Sequence, residues 1–143
     1  MKLTIFTPTY NRREYLDRLY FSLCNQTNKN FEWIVVDDGS IDHTEEKIKK
    51  YIEEKKIIIK FKKQKNSGKH IAHNEGVKMS TSELFFCVDS DDYLTFNAVE
   101  IILKLWEVKK QSNSTGIVLP RGYSNGQVME NFIPKYIKNS TLS

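Results

Sequence analysis

The sequence predicts one α/β domain in which helices flank a mostly parallel sheet. Short runs of β-branched and aromatic residues alternate along the chain with longer segments whose apolar residues recur every three or four positions. Two of the short runs lead straight into clusters of aspartate, at 37–38 and 89–92. Because strand–helix–strand units cross over with a right hand, successive strands should be parallel, and their carboxyl ends should share one edge of the sheet, where ligands bind.

The predicted elements follow one another without repeats or linkers. We expect the first strand to stop at Pro8, which has no N–H for a sheet ladder, and Asn11 to cap the helix that follows. A later helix should run from about 69 to 79. The predicted strands are 3–7, 31–36, 57–61, 84–88 and 117–119.

The second and fourth predicted strands carry the acidic clusters. The segment 31–36 is apolar almost throughout, which is typical of a strand covered on both faces, and it runs directly into Asp37 and Asp38. The fourth strand runs into 89–92 in the same way, and we expect Cys87 within it to be a small buried core residue.

The composition fits a soluble globular domain. Of the 143 residues, 39% are hydrophobic and 28% are charged, with six Gly and three Pro, so disordered and collagen-like classes are excluded. No apolar run approaches the roughly 20 residues of a membrane span, so we expect a cytoplasmic protein. The two cysteines stand far apart in unlike contexts and fit neither a disulfide framework nor a zinc site.

The aspartates are expected to crowd together at adjacent strand ends. Carboxylates in that arrangement repel one another, which raises their pKa values unless a cation lies among them. Oxygen ligands suit Mg²⁺ or Mn²⁺, and Mg²⁺ is usually held by one or two carboxylates together with substrate phosphates. Asp also favours turns and helix caps, but that explanation is weaker for two clusters than for one. The five residues are Asp37, Asp38, Asp89, Asp91 and Asp92.

Four segments, in order, resemble the family 2 glycosyltransferases, which use nucleotide-diphospho-sugars and have the GT-A fold, a Rossmann-like, mostly parallel sheet flanked by helices. The resemblance covers residues 2 to about 119. Residues 7–12 are similar to the nucleotide-contacting turn of the family, and 35–40 to its base- and ribose-binding strand end. Residues 66–76 are similar to its diphosphate-side loop and helix, and 88–92 to its Asp-x-Asp metal site.

The resemblance implies a site residue by residue. Asp91 would ligate Mn²⁺ or Mg²⁺, and the loop before 69 would face the phosphates because it opens a helix. His73 stands where many members have arginine, so an imidazole replaces a fixed cation; for His70 and His73 we expect capping or surface roles rather than zinc binding. The residues implied to bind the nucleotide, usually a uridine, are Pro8, Thr9, Tyr10, Asn11, Asp37, Asp38, Gly68, Lys69, Asn74, Asp89 and Ser90.

The family also implies the reaction, an inverting, metal-dependent transfer of a sugar from a donor such as a UDP-sugar to a glycan or lipid-linked acceptor in polysaccharide or cell-envelope synthesis. Such a transfer needs a general base. After Glu107 the only acidic residue is Glu130, in no recognisable motif, so the catalytic residue is unknown. We therefore expect a donor-binding part of a longer protein, with a core at 1–119 and the start of an acceptor region or a tail at 120–143.

Other interpretations stay open at this stage. A noncatalytic module would bind the nucleotide-sugar without turnover. A receiver-like signalling domain also gathers aspartates around Mg²⁺, but it needs its acidic pair after the first strand. The lysines between 47 and 69, in a chain of net charge +4, favour a solvated face over a nucleic-acid interface and would allow peripheral contact with the inner face of the membrane. A homodimer that covers an exposed flank of the sheet is a further expectation.

Overall fold

A computed structural model describes residues 1–110, 116–119, 122, 123, 125 and 127 of the chain. The chain divides into two units, at 1–104 and 105–143. Strands and helices alternate throughout the first unit. The elements are β1 (Leu3–Thr9), α1 (Leu16–Cys24), β2 (Phe31–Asp37), α2 (Thr44–Glu54), β3 (Ile58–Lys63), α3 (Lys69–Met79), β4 (Leu84–Cys87) and α4 (Ala98–Lys109), the last of which continues past residue 104.

The four strands form one parallel sheet in the order β3-β2-β1-β4. This arrangement confirms the predicted α/β class. The chain moves outward from β1 to β3 and then returns to the other side of β1, so the strand order reverses between β1 and β4. In open parallel sheets, ligands bind at the carboxyl ends of the strands beside such a switch point. The order also argues against a receiver-like domain, in which the third strand lies next to the first.

Aromatic side chains fill the core between the sheet and helices α1 and α2. The rings of Tyr20 and Tyr51 stack with centroids 3.9 Å apart, and Trp33 of β2 lies beside both. The indole Nε1 of Trp33 donates a hydrogen bond to Thr7 Oγ1 at 2.9 Å, so its one polar group is satisfied inside the core. Stacked aromatic pairs of this kind add to the free energy gained from burial alone.

Helix α3 covers the opposite face of the sheet at very short range. Phe6, Ile34, Val36 and Ala72 form a fully buried cluster there. A Cβ atom at Gly76 would lie 2.3 Å from the ring of Phe6, well inside van der Waals contact. Only the hydrogen of a glycine fits between this helix and β1, and the close approach fixes the position of α3 on the sheet.

Strand β1 continues through Pro8, whereas the sequence analysis predicted that it would stop there. Along a parallel strand the hydrogen-bonding groups of successive residues face alternate neighbours. Phe6 O accepts a hydrogen bond from Val88 N–H on the β4 side, and Thr9 O accepts one from Asp38 N–H on the β2 side. The missing N–H of Pro8 therefore faces the β4 side, where pairing has already ended at Phe6 and Cys87.

Two further predictions about single residues were wrong. Asn11 does not cap α1, which begins at Leu16; it has a φ of 50° and binds the loop after β2 instead. Its N–H donates to Ser40 Oγ at 2.8 Å, and its Oδ1 accepts the N–H of Ile41 at 2.9 Å. Cys87 is exposed rather than buried in the core, because it ends a short strand that has one described neighbour in the sheet.

The described residues of the second unit add little regular structure. Residues 117–119, predicted as a fifth strand, are not in a strand. Further on, the N–H of Tyr123 donates to Gln127 O at 2.8 Å. Among the helices that the structure describes, none combines the length and the apolar composition needed to cross a membrane.

The lysines of β3 take part in ion pairs. Lys60 lies 2.8 Å from Glu32, and Lys62 lies 2.6 Å from Glu75. Lys63 lies 3.5 Å from Glu45. These partners leave β3 with little unbalanced positive charge, which a nucleic-acid interface would require. Lysines along an edge strand also discourage the pairing of β3 with strands of other molecules.

Candidate active site at the switch point

The candidate site lies at the carboxyl ends of β1, β2 and β4. Strand β1 ends at Thr9 and is followed by Tyr10 and Asn11, and residues 89–92 follow β4. Strands β1 and β4 are direct neighbours in the sheet. Asp37 and Asp38 lie beyond β1 on the other side, at the end of β2. The two acidic clusters thus share one edge of the sheet, but the prediction that they occupy adjacent strand ends was wrong, because β1 separates them.

The group after β4 consists of Asp89, Asp91 and Asp92. One carboxylate oxygen from each lies within 4.8 Å of the others, a spacing that lets all three reach one cation. The loop turns tightly, since Asp92 N–H donates to Asp89 O at 3.0 Å. Ser90, between them, is buried. Three hard oxygen ligands at this spacing suit Mg²⁺ or Mn²⁺.

Cationic side chains already lie beside these carboxylates. Lys69, the first residue of α3, donates from Nζ to Asp89 Oδ1 at 2.7 Å. This hydrogen bond is the main cause that raises the pKa of Lys69 above its ordinary value. Arg12 Nη1 lies 3.9 Å from Asp91 Oδ2. Positive groups of the chain therefore balance part of the acidic charge, as the crowding of carboxylates requires.

Asp38 is buried and anchors the loop between β3 and α3. Its Oδ1 accepts hydrogen bonds from Gln64 Nε2 and Ser67 N–H, both at 2.8 Å, and its Oδ2 accepts one from Gly68 N–H at 2.8 Å. Burial alone would raise the pKa of Asp38, but the three hydrogen bonds outweigh burial, so the pKa lies below its ordinary value. A carboxylate bound in this way fixes the entry to α3.

Asp37 and Thr9 each have one buried side-chain oxygen without a hydrogen-bond partner. They are register partners on neighbouring strands, so their side chains project from the same face of the sheet. Asp37 Oδ1 accepts hydrogen bonds from the N–H and the hydroxyl of Ser40. Asp37 Oδ2 and Thr9 Oγ1 are buried without a hydrogen-bond partner; Lys63 Nζ lies 4.0 Å from that Oδ2, beyond hydrogen-bond distance. Buried polar atoms are normally satisfied, so these two oxygens are exceptions within the described fold.

The remaining residues predicted to bind the nucleotide, together with His73, differ in their exposure and in their contacts. Tyr10 is exposed after β1, and Asn74 is exposed on the second turn of α3. Gly68 has a φ of 97°, which favours glycine, and it precedes the free N–H groups at the start of α3. His73 does not have the expected surface or capping role: its ring packs edge-on against Phe6 and Phe85, with centroids 5.4 and 5.5 Å away.

Sequence reasoning missed several residues that organise the site. It gave Arg18 no functional role, yet Arg18 Nη2 donates to Asp91 O at 2.5 Å. It gave none to Gln64 either, although this residue binds Asp38. Nothing local in the sequence marks either residue, because the partner of each lies far away along the chain.

A parallel sheet with an acidic loop at its switch point is the arrangement expected of a GT-A type domain. The chain belongs to glycosyl transferase family 2, because the model of that family matches residues 4–140.

Proteins of similar sequence are also named as glycosyltransferases. The poly(ribitol-phosphate) beta-N-acetylglucosaminyltransferase TarP of Staphylococcus aureus is 40% identical over 123 residues, which are 82% of this chain and 36% of TarP. The dolichol-phosphate mannosyltransferase of Pyrococcus furiosus is 33% identical over 139 residues, which are 96% of this chain and 38% of the relative. The chain thus spans little more than a third of the length of either protein.

Solved structures of similar fold include TarS of Staphylococcus aureus. One structure of TarS superposes with a TM-score of 0.72 at 32% identity, over 77% of this chain and 20% of TarS. TarS 1–349 in complex with UDP-GlcNAc superposes with a TM-score of 0.66 at 28% identity, over 85% of this chain and 38% of that structure.

Proposed function

We propose that this chain binds the nucleotide-sugar donor of a glycosyltransferase that transfers a sugar, with inversion and with a divalent metal, from a UDP-sugar to a glycan or lipid-linked acceptor. One observation carries the proposal: three carboxylates converge after β4, beside the switch point between β1 and β4. The complex of TarS with UDP-GlcNAc supports the choice of donor class.

The nucleoside is proposed to bind at the ends of β1 and β2. Thr9 and Asp37 end these strands as register partners, and they would form the base of the nucleoside site. Tyr10, exposed beside them, supplies an aromatic face for the base. Asp38 contributes mainly through the loop it holds, since three of its acceptor positions are already used by that loop.

The diphosphate is proposed to lie between the start of α3 and the acidic loop. Asp91 would hold the metal, with Asp89 and Asp92 close enough to assist. When bound, a divalent cation would neutralise charge that develops on the departing diphosphate. Lys69 and the free N–H groups after Gly68 add positive potential on the phosphate side.

The proposal is tested by calorimetric titration of the chain with UDP, with and without Mn²⁺, and with GDP and ADP as controls. We expect binding that needs the metal and is selective for UDP. If no nucleotide binds to protein whose folding is established by circular dichroism, the proposal is wrong. Asp91→Ala should abolish metal-dependent binding and leave the fold intact, whereas Glu53→Ala, at an exposed carboxylate of α2, should bind as wild type does.

A noncatalytic donor-binding module is the second candidate. At the sheet edge formed by the ends of β1, β2 and β4, each described carboxylate is proposed to bind a loop, the nucleotide or the metal. No described residue is therefore assigned as the general base, and this favours the module. Release of UDP from a UDP-sugar, measured with and without added acceptor saccharide, separates the two: turnover supports the enzyme, and donor binding without turnover supports the module. The acceptor, a homodimer and peripheral membrane contact remain predictions.

A further inference from the structure

One side of α1 carries polar side chains at a regular spacing that all bind the same distant segment. Arg18 and Ser22 lie four residues apart on one side of α1, and Gln26 follows two residues after the helix ends at Cys24. We call them the α1 polar row. The segment they bind, 91–99, begins inside the acidic group and leads into α4.

Each member of the row binds the backbone of that segment. Arg18 Nη2 donates to Asp91 O at 2.5 Å, and Ser22 Oγ accepts the N–H of Leu94 at 3.2 Å. Gln26 Nε2 donates to Thr95 O at 2.7 Å, and Gln26 Oε1 accepts the N–H of Val99 at 3.0 Å. Backbone groups of a segment without regular structure need hydrogen-bond partners. Here side chains of α1 and of the residue that follows its C-cap provide them.

Gln26 is the most constrained member of the row. Its side chain is only 3% exposed, and Nε2 also donates to Ser22 O at 2.9 Å. A buried amide with every polar atom engaged is costly to disturb, because removal of one partner leaves another unsatisfied. The row is therefore a stiff support at the α4 end of the segment.

Arg18 binds the carbonyl of Asp91 and not its carboxylate. Its guanidinium also lies over the ring of Tyr93, 4.8 Å from the centroid, which holds the planar group in one orientation. The backbone of Asp91 is thus fixed while its side chain stays exposed and able to bind a ligand.

We propose that Arg18, Ser22 and Gln26 are positioning residues that hold the acidic segment so that its three carboxylates converge on one cation. The proposal rests on the proposed function of that site. Outer partners that orient metal ligands typically change metal affinity by 10- to 100-fold when they are removed. The row would act in this way through the backbone, from a helix that contributes no metal ligand itself.

The test uses the whole chain and Mn²⁺ alone as the probe. Affinity for Mn²⁺ is measured by electron paramagnetic resonance of the free ion, without nucleotide, for wild type, Arg18→Gln, Arg18→Lys and Lys50→Gln. Lys50 is an exposed lysine of α2 and controls for the loss of one positive charge. Amide hydrogen exchange at Leu94 is measured in the same proteins and in Ser22→Ala, and thermal unfolding establishes that each is folded.

We expect Arg18→Gln to weaken Mn²⁺ binding about tenfold, Arg18→Lys to recover most of that loss by donating to the same carbonyl, and Lys50→Gln to match wild type. Exchange at Leu94 should accelerate in Ser22→Ala. If Arg18→Gln binds Mn²⁺ as wild type does, or if Arg18→Lys is no better than Arg18→Gln, the proposal is overturned.

The exchange measurement separates this proposal from the proposed function. If wild type binds neither Mn²⁺ nor UDP, the donor-site proposal fails. The positioning of the segment is then decided by exchange at Leu94: acceleration in both Ser22→Ala and Arg18→Gln supports it, and unchanged exchange in both overturns it.

Discussion

The ends of β2 and β4 both present neighbouring aspartates, and the two sets of carboxylates are bound in different ways. At the end of β2, Asp37 and Asp38 are buried and accept hydrogen bonds from nearby loops. At the end of β4, Asp89, Asp91 and Asp92 are partly or largely exposed and face one another, with cationic side chains beside them.

The difference separates two uses of the same residue type. A buried carboxylate that accepts several N–H groups is part of the fold, because its removal leaves those donors without partners. Exposed carboxylates that converge repel one another, so an external cation stabilises them more than the chain does. Asp38, at the end of β2, should therefore govern stability, and the carboxylates at the end of β4 should govern metal binding.

The largest expected effect is on Asp38. Asp38→Ala should lower the free energy of unfolding by about 2–3 kcal/mol, since it removes a charged acceptor from three donors. Asp91→Ala should change it by less than about 0.5 kcal/mol, because Asp91 is exposed. Urea unfolding of both variants measures the contrast, and equal losses would contradict the assignment of separate roles.

The next effect concerns the turn that follows Asp38. Gly39 has a φ of 86°, and a Cβ there would lie 2.9 Å from Asn66 N. Gly39→Ala should therefore destabilise the protein by about 1–2 kcal/mol. At Gly116 a Cβ would meet nothing within 4 Å, so Gly116→Ala is the matched control and should leave the melting temperature nearly unchanged.

A smaller effect should appear with pH. Because the pKa of Asp38 is lowered on folding, the unfolded chain binds the proton more readily than the folded one. The stability that ionised Asp38 contributes is fully present above its unfolded pKa of about 3.9 and is lost as the pH falls through the lower folded pKa. The difference in unfolding free energy between wild type and Asp38→Asn should shrink as the pH falls from about 6 to about 2. A constant difference across that range would rule out this linkage.

The smallest expected effect on stability is at the end of β4. Lys69 and Asp89 form an exposed ion pair, and such pairs contribute little to folding. Lys69→Gln should alter the free energy of unfolding by less than about 0.5 kcal/mol and should nevertheless weaken UDP binding in calorimetry. A large loss of stability with unchanged binding would reverse the comparison.

Local patterns predicted the elements well and the contacts between them poorly. The predicted helix from 69 to 79 is confirmed at both ends, and the fourth strand is confirmed to within a residue. The role of Arg18 could not be predicted, because its carbonyl acceptor at Asp91 is 73 positions away. Asparagine is a residue type that often caps helices, yet a tertiary contact with the loop at Ser40 determines the conformation of Asn11.

The order of the strands limited what could be predicted of the site. Right-handed crossovers place every strand end at one edge, but they do not fix which strands are neighbours. The position of β4 beside β1 depends on the packing of side chains such as Phe85 against Phe6, whose centroids lie 5.3 Å apart. Hence both acidic clusters were predictable, and their separation by β1 was not.

The contact between Gly76 and Phe6 has a consequence for how the cleft of the proposed donor site could be enlarged. A methyl group at residue 76 would force α3 away from the sheet, and the first turn of the same rigid helix, with Lys69, would move with it. The distance between Lys69 and Asp89 would then increase, although neither residue had been substituted. The width of this part of the cleft is thus set two turns away, in the hydrophobic interior, so a directed-evolution screen restricted to cleft-lining residues would miss it.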